Sequence, residues 1–279
     1  MKMSLDDSIR EARDLIEEAD ALVYCAGAGM GVDSGLPDFR GNEGFWKAYP
    51  PIAKRGISFV EMANPSWFKN DPKLAWAFYG HRFNLYKRTV PHSGFSLLRK
   101  LAEQKNDNYS IFTSNVDGHF QKAGFSDDRI EECHGSINHL QCSTPCCENI
   151  WDSPMQNIKV DEEKFEAIEP YPACPYCGEI ARPNVLMFGD WLWIGNRTQM
   201  QSQRFANWLQ SIQDRNQKLI VVEAGAGTAV PTVRHTSEAL AREYSAKLIR
   251  INPREYQVPD GNISIPCGAA EGIKKIMEY

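Results

Sequence analysis

The sequence predicts an α/β protein: a Rossmann-like, doubly wound parallel sheet with a smaller inserted zinc-binding domain. Four short apolar runs carry the first part of that expectation: Ala21 to Ala26, Tyr109 to Thr113, Leu219 to Ala224 and Lys247 to Asn252. Their length and unbroken apolar character suit strands covered on both faces. Helical patterns separate them, as at Gly94 to Glu103 and Val233 to Tyr244, which is the alternation of a doubly wound sheet. Finally, Cys142, Cys146, Cys147, Cys174 and Cys177 crowd into one segment that breaks this rhythm.

Taken in order, Ser4 and Asp7 resemble a capping box, and Leu5, Ile9, Ala12, Leu15, Ile16 and Ala19 recur at helical spacing. The chain therefore opens with an amphipathic helix. The run Ala21 to Ala26 follows and passes straight into Gly27, Gly29 and Gly31. Two stretches interrupt the strand–helix alternation: Gly41 to Arg88, rich in aromatic residues, and Cys142 to Asp190, which holds the cysteines and several prolines. Both fall between strands of the sheet, so both are expected to be insertions. The expected division is a Rossmann-like sheet domain of residues 1–40, 89–141 and 191–279. The smaller domain takes a helical part from 41–88 and a zinc part from 142–190.

Composition narrows the partners. The chain has 36 acidic and 31 basic residues and a net charge of −5, with no long block of one sign. Phosphate neutralisation wants a basic surface, so nucleic acid is not indicated. No apolar stretch is long enough to span a bilayer, and the first twenty residues lack the apolar region of a signal peptide. A soluble, cytoplasmic protein is expected. In that setting, paired cysteines read as metal ligands sooner than as disulfides.

Four constellations carry chemistry. Gly27 to Gly41 reads GAGMGVDSGLPDFRG, and glycines after a strand let backbone approach a pyrophosphate. Thr113-Ser114-Asn115-Val116-Asp117-Gly118 sets amide and carboxylate groups at the end of another strand, where a ligand crevice forms. His134 lies in Cys133-His134-Gly135-Ser136, eight residues before Cys142. Imidazole, with a pKa near neutrality, can accept a hydroxyl proton. Cys174-Pro175-Tyr176-Cys177 is a zinc knuckle. Its partner pair is Cys142 with Cys146, or with Cys147 one residue later; Cys146 is the favoured ligand. A site filled by four thiolates has no opening for water or substrate, so the zinc is expected to be structural.

Together these segments resemble the sirtuin family. That family carries GAG-x-S-x-x-SGIPDFRG, TQNID and HGS in this order, followed by a cysteine knuckle and RPxVVxFGE. Here the last motif reads Arg182-Pro183-Asn184-Val185-Leu186-Met187-Phe188-Gly189-Asp190. The resemblance spans residues 20 to 275. It departs at Gly31, where the family has serine, at Ser114 in place of glutamine, and at Asp190 in place of glutamate.

The resemblance implies that His134 and Asn115 are catalytic. Cofactor contacts are implied for Gly27, Ala28, Gly29, Asp38, Phe39, Arg40, Ser114, Asn115, Val116 and Asp117. Those further along the chain are Gly227, Thr228, Ala229, Asn252 and Ala270. Implied partners are NAD, one structural Zn²⁺ held by Cys142, Cys146, Cys174 and Cys177, and acyl-lysine proteins or peptides.

Tyr79 and Arg82 share a helical face. They resemble the Tyr-x-x-Arg pair of sirtuins that remove succinyl or malonyl groups, so they are expected to bind the acyl end of the substrate. The segments that would bracket a peptide strand, Asp190 to Gly195 and Ala229 to His235, contain Trp191, Trp193 and Pro231, and proline cannot donate a ladder hydrogen bond. The leading expectation is lysine deacylation, with acetyl, succinyl or malonyl groups as substrates. ADP-ribosyl transfer or NAD hydrolysis is the alternative on the same scaffold. A non-catalytic nucleotide sensor would not need His134, Asn115 and Asp117 together.

Overall fold

The computed structural model describes residues 4–37, 41–153 and 158–278, without the side chains of residues 41 and 42. Asp38, Phe39 and Arg40, expected at the cofactor, lie outside the described residues.

The Ser4 hydroxyl accepts the Asp7 N–H at 3.1 Å and opens α1 (Leu5–Glu17), whose Ile9, Ala12 and Ile16 are buried. Strand β1 (Ala21–Ala26) follows. The first insertion then supplies α2 (Gly41–Ala48), α3 (Pro50–Lys54), α4 (Phe59–Met62), α5 (Trp67–Asn70) and the long α6 (Pro72–Arg88). The chain returns through α7 (Ser93–Gln104) to β2 (Tyr109–Thr113), then α8 (His119–Lys122) and β3 (Ile130–Glu132). The second insertion holds β4 (Gly135–Cys142), β5 (Ile150–Asp152), β6 (Val160–Asp161), β7 (Glu166–Ala167) and β8 (Ala181–Val185). Last come α9 (Asn196–Asp214), β9 (Leu219–Ala224), α10 (Thr232–Glu243), β10 (Lys247–Ile251), β11 (Ile263–Ile265) and α11 (Ala269–Glu278).

Six of these strands form a parallel sheet in the order β11-β10-β9-β1-β2-β3. The expected parallel α/β sheet is present. Its central strands bury both faces, and alternate residues divide between two cores. Leu22, Tyr24, Ile220 and Val222 pack with α1, α7 and α11, whereas Val23, Cys25, Leu219 and Val221 pack with α9 and α10. Strand order runs outward from β1 through β2 and from β9 through β10, so the direction of winding reverses between β1 and β9. Open α/β sheets bind ligands in the crevice at such a switch point, beyond the carboxyl ends of the strands.

A third core joins the two insertions. Phe45, Tyr49, Phe68, Trp76 and Phe78 pack beneath Ile137, Leu140, Ala181 and Val185 of the small sheet β5-β4-β8. Helix α6 lies at its centre: the Trp76 indole donates to the Ala181 carbonyl at 3.1 Å, and the Asn84 amide donates to the Ile158 carbonyl at 2.7 Å. The inserted half thus leans against the C-terminal edge of the large sheet and supplies the other wall of the crevice.

Candidate active site

The crevice floor is built from loops that leave β1, β2 and β9. Gly27 and Gly225 let two of these loops touch. A Cβ on Gly27 would stand 2.7 Å from the Ala226 Cα, and one on Gly225, whose φ is +66°, would stand 2.1 Å from the Met30 nitrogen. Glycine is required where backbones approach this closely and where φ is positive.

The β2 exit is tied to the β1 exit by side chains. The Thr113 hydroxyl donates to the Ala26 carbonyl at 2.9 Å, and the Asn115 amide donates to the Gly27 carbonyl at 3.0 Å. The Val116 carbonyl accepts the Ile137 N–H at 3.0 Å, fixing this loop against β4 just after His134.

These loops and the inserted half enclose a cleft of about 470 Å³. Gly27, Ala28, Gly29, Ser114, Asn115, Val116, Asp117, Gly227 and Ala229 line it, together with His134, Tyr79 and Arg82. The structure brings these sequence-selected residues to one place. Thr228, Asn252 and Ala270 lie outside the lining. Thr228 bonds Glu255, and the fully buried Asn252 donates to the Ala226 carbonyl at 2.9 Å. The Ala270 N–H donates to the Asp33 carboxylate at 2.8 Å, which braces the 3₁₀ turn Ala28–Ser34 against α11.

Electrostatics suit acid–base work. Burial lowers the pKa of His134, so the ring is neutral at pH 7 and able to accept a proton. Its Nε2 lies 3.5 Å from the Thr232 hydroxyl. Burial raises the Asp117 carboxyl, with His119 opposing that shift, and Asp117 accepts the His119 N–H at 2.9 Å.

Sequence reasoning passed over several lining residues. Leu186, Met187 and Phe188 form a wall pinned by Asp190, whose carboxylate makes a bidentate pair with Arg182 at 2.6 and 2.9 Å, both side chains fully buried. Tyr86 also lines the cleft, one helical turn beyond Arg82; that spacing was the available signal. The segments expected to bracket a peptide are not strands. Residues 188–189 and 191–192 form turns, and α10 begins at Thr232 with Pro231 at its N-cap.

Away from the cleft, the sulfurs of Cys142, Cys146, Cys174 and Cys177 all lie within 4.8 Å of one another. The pairs Cys142–Cys177 and Cys146–Cys174 are both 3.7 Å apart. A tetrahedron with Zn–S bonds of about 2.3 Å has S···S edges of about 3.8 Å, so the donors fit one zinc ion. Cys147 does not join this group of four.

The description "Sir2 family" matches residues 27–214. The chain belongs to the Sir2 family. An NAD-dependent protein deacylase of Aquifex aeolicus is 27% identical over 263 residues, covering 92% of this chain and 94% of that protein. A deacylase of the same name from Thermus thermophilus is 27% identical over 275 residues, covering 97% and 94% respectively. Among solved structures, a mutant Sir2 homologue in complex with ADP-ribose superposes with a TM-score of 0.72 at 25% identity, covering 96% of this chain and 94% of that one. A Sir2 bound to acetylated peptide shares the fold at a TM-score of 0.66, with 21% identity and coverage of 100% and 98%. The glycine loops, the Asn115–Asp117 loop and His134 gather around one cleft, and no helix among the described residues is long and apolar enough to cross a membrane.

Proposed function

We propose that this Sir2 chain is an NAD-dependent lysine deacylase whose acyl pocket accepts groups ending in a carboxylate, such as succinyl or malonyl. The observation that carries the reading is the meeting of two constellations in one cleft. His134, Asn115 and Asp117 face the same space as Tyr79 and Arg82, which are 1% and 8% exposed. A guanidinium can hold a carboxylate with two parallel hydrogen bonds, and Tyr79 and Arg82 bring a phenol and a guanidinium to the lining of this cleft.

The glycine loops of the floor suit the pyrophosphate of NAD, since their backbone can come close to it. NAD, when bound, supplies an activated glycosidic carbon from which nicotinamide departs as the acyl oxygen attacks. Asn115 and Asp117 would orient the carboxamide end of the cofactor. Neutral His134 would take a proton from a ribose hydroxyl, whose oxygen would then bond the acyl carbon; one water would add as the lysine amine departs protonated, leaving the acyl group on the ribose. Val60, Leu186, Phe188 and Val230, which are exposed and line the cleft, would shelter the acyl chain from water. The four cysteines would hold zinc as a structural ion, remote from these steps.

One feature supports a second reading. The β9 exit enters α10 after a few residues, with Pro231 at the junction, leaving little extended backbone to pair with a peptide. ADP-ribosyl transfer or NAD hydrolysis would not need that pairing. Mass spectrometry of the products formed with NAD and a succinyl-lysine peptide tests the choice. O-succinyl-ADP-ribose is expected. ADP-ribose alone, with the peptide untouched, would replace deacylation by hydrolysis.

A further inference from the structure

His134 lies two residues beyond the end of β3, which closes the large sheet and pairs with β2 alone. The Cys133 N–H donates to the Thr113 carbonyl of β2 at 2.9 Å. Peptide groups alternate in direction along a strand, so those of Glu132 point to the open side. Helix α9 supplies their partners from its first two turns. Gln201 Oε1 accepts the Glu132 N–H at 3.1 Å, and the Thr198 hydroxyl donates to the Glu132 carbonyl at 3.2 Å. Two side chains thereby complete an edge that a further strand would otherwise fill.

The Glu132 side chain is held by the same helix. Its Oε2 accepts from Arg197 Nη2 at 2.6 Å and from Gln201 Nε2 at 3.4 Å. Glu132 and Gln201 are 1% and 3% exposed, so Gln201 grips both the backbone and the side chain of one buried residue. Stability alone gives little reason for this arrangement. A buried ion pair offsets its desolvation only when its remaining polar atoms are satisfied, and apolar residues of similar volume often serve as well. Here Glu132 Oε1 and Arg197 Nη1 are buried without a hydrogen-bond partner among the described residues.

What the clamp does fix is the course of the chain into His134. On the far side, the Leu186 N–H donates to the His134 carbonyl at 2.9 Å. Gly135, at φ +76°, passes so close to β8 that a Cβ would stand 2.1 Å from the Asn184 carbonyl oxygen. The His134 backbone is thus pinned by α9 before it and by the end of β8 after it. The imidazole itself is held weakly: among the described residues its hydrogen-bonding neighbour is the Thr232 hydroxyl, at 3.5 Å. Its placement therefore depends on the backbone that carries it.

We propose that Glu132, gripped by Gln201 and Arg197, is the positioning residue for His134, holding the backbone from which the imidazole reaches the ribose hydroxyl. The inference rests on the reading of His134 as the base. Glu132, Arg197 and Gln201 stand behind His134, outside the cleft lining, so they act on the step that uses this histidine. Nicotinamide leaves before His134 takes the ribose proton. Exchange of labelled nicotinamide into NAD therefore reports the earlier step, and formation of deacylated peptide reports the later one.

The test measures both rates on the zinc-loaded full chain with NAD and succinyl- or acetyl-lysine peptides. Gln201→Met keeps length and bulk but removes both bonds to Glu132. It should lower kcat for deacylation roughly tenfold, with the peptide KM and nicotinamide exchange changing about twofold or less. Glu132→Gln, which keeps the shape and removes the charge, should separate the two rates in the same sense. In a His134→Ala background, Gln201→Met should cost almost nothing further, because the group it positions is gone. Equal losses in exchange and deacylation, or an added loss in the His134→Ala background, would reduce the clamp to packing. Unaltered deacylation in both variants would overturn it. A wild-type chain that deacylates neither peptide, or a His134→Ala variant that deacylates as fast as wild type, overturns the reading of His134 itself and this inference with it.

Discussion

The two walls of the cleft are made in different ways. The sheet wall is backbone: glycine loops at the ends of β1 and β9 and an asparagine that bonds a neighbouring carbonyl, all set on strands whose aliphatic residues bury both faces. The inserted wall is side chain: aromatic rings around α6, a buried arginine, and a small sheet whose far end is gathered by four thiols. A backbone wall changes little with sequence and suits a constant cofactor. A side-chain wall can be re-cut residue by residue and suits a variable acyl group. Cofactor use and acyl choice should therefore fail separately.

The largest expected effect comes from taking the zinc away. Structural zinc sites contribute on the order of 10 kcal/mol at pH 7, so chelation or Cys174→Ser should melt the inserted half well before the sheet half. Calorimetry should show a second, earlier transition, and elemental analysis of the native protein should give one zinc per chain. Loss of metal in Cys147→Ser but not in Cys146→Ser would reassign the fourth ligand.

Next is the sheet-side chemistry. A general base contributes about 100- to 10,000-fold, so His134→Ala should lower kcat by that order on every acyl peptide while leaving the ratio between peptides unchanged. Asn115→Ala should likewise reduce nicotinamide release on all substrates alike. A change in acyl preference in either variant would break the division between the walls.

Arg82→Met, on the inserted wall, should do the reverse. A charge-assisted hydrogen bond contributes about 1.5–3 kcal/mol, which corresponds to roughly a tenfold to hundredfold loss of specificity for succinyl-lysine relative to acetyl-lysine. Equal losses on both peptides would show that Arg82 only supports the packing of α6.

The smallest effect concerns pH. Burial depresses the pKa of His134, so the base stays neutral, and active, to a pH below the ordinary imidazole value of about 6.5. Activity should fall only as pH drops through that lowered value, and the acid limb should vanish in His134→Ala. A limb displaced to the alkaline side of ordinary imidazole would mean that His134 is stabilised as a cation, contrary to its burial.

The sheet wall was largely legible in the sequence because its information is local. Continuous apolar runs marked β1, β2, β9 and β10 nearly to the residue. The edge strands β3 and β11 escaped notice, since three residues make no pattern. The contact of Gly225 with Met30 joins positions far apart in sequence, and no local motif announces it. On the inserted wall, cysteine spacing left Cys146 and Cys147 both open, and the distances between sulfurs single out Cys146. Tyr86 was hidden among many aromatic residues, and only its grip on Arg82 sets it apart.

The central claim, that this Sir2 fold couples NAD cleavage to acyl transfer from lysine, is tested most directly by nicotinamide release. Purified, zinc-replete protein would be given NAD with a succinyl-lysine peptide, with an acetyl-lysine peptide, or with no peptide. The account predicts rapid release with the succinyl peptide, slower release with the acetyl peptide, and little without either. Release at the same rate with no peptide present would contradict it.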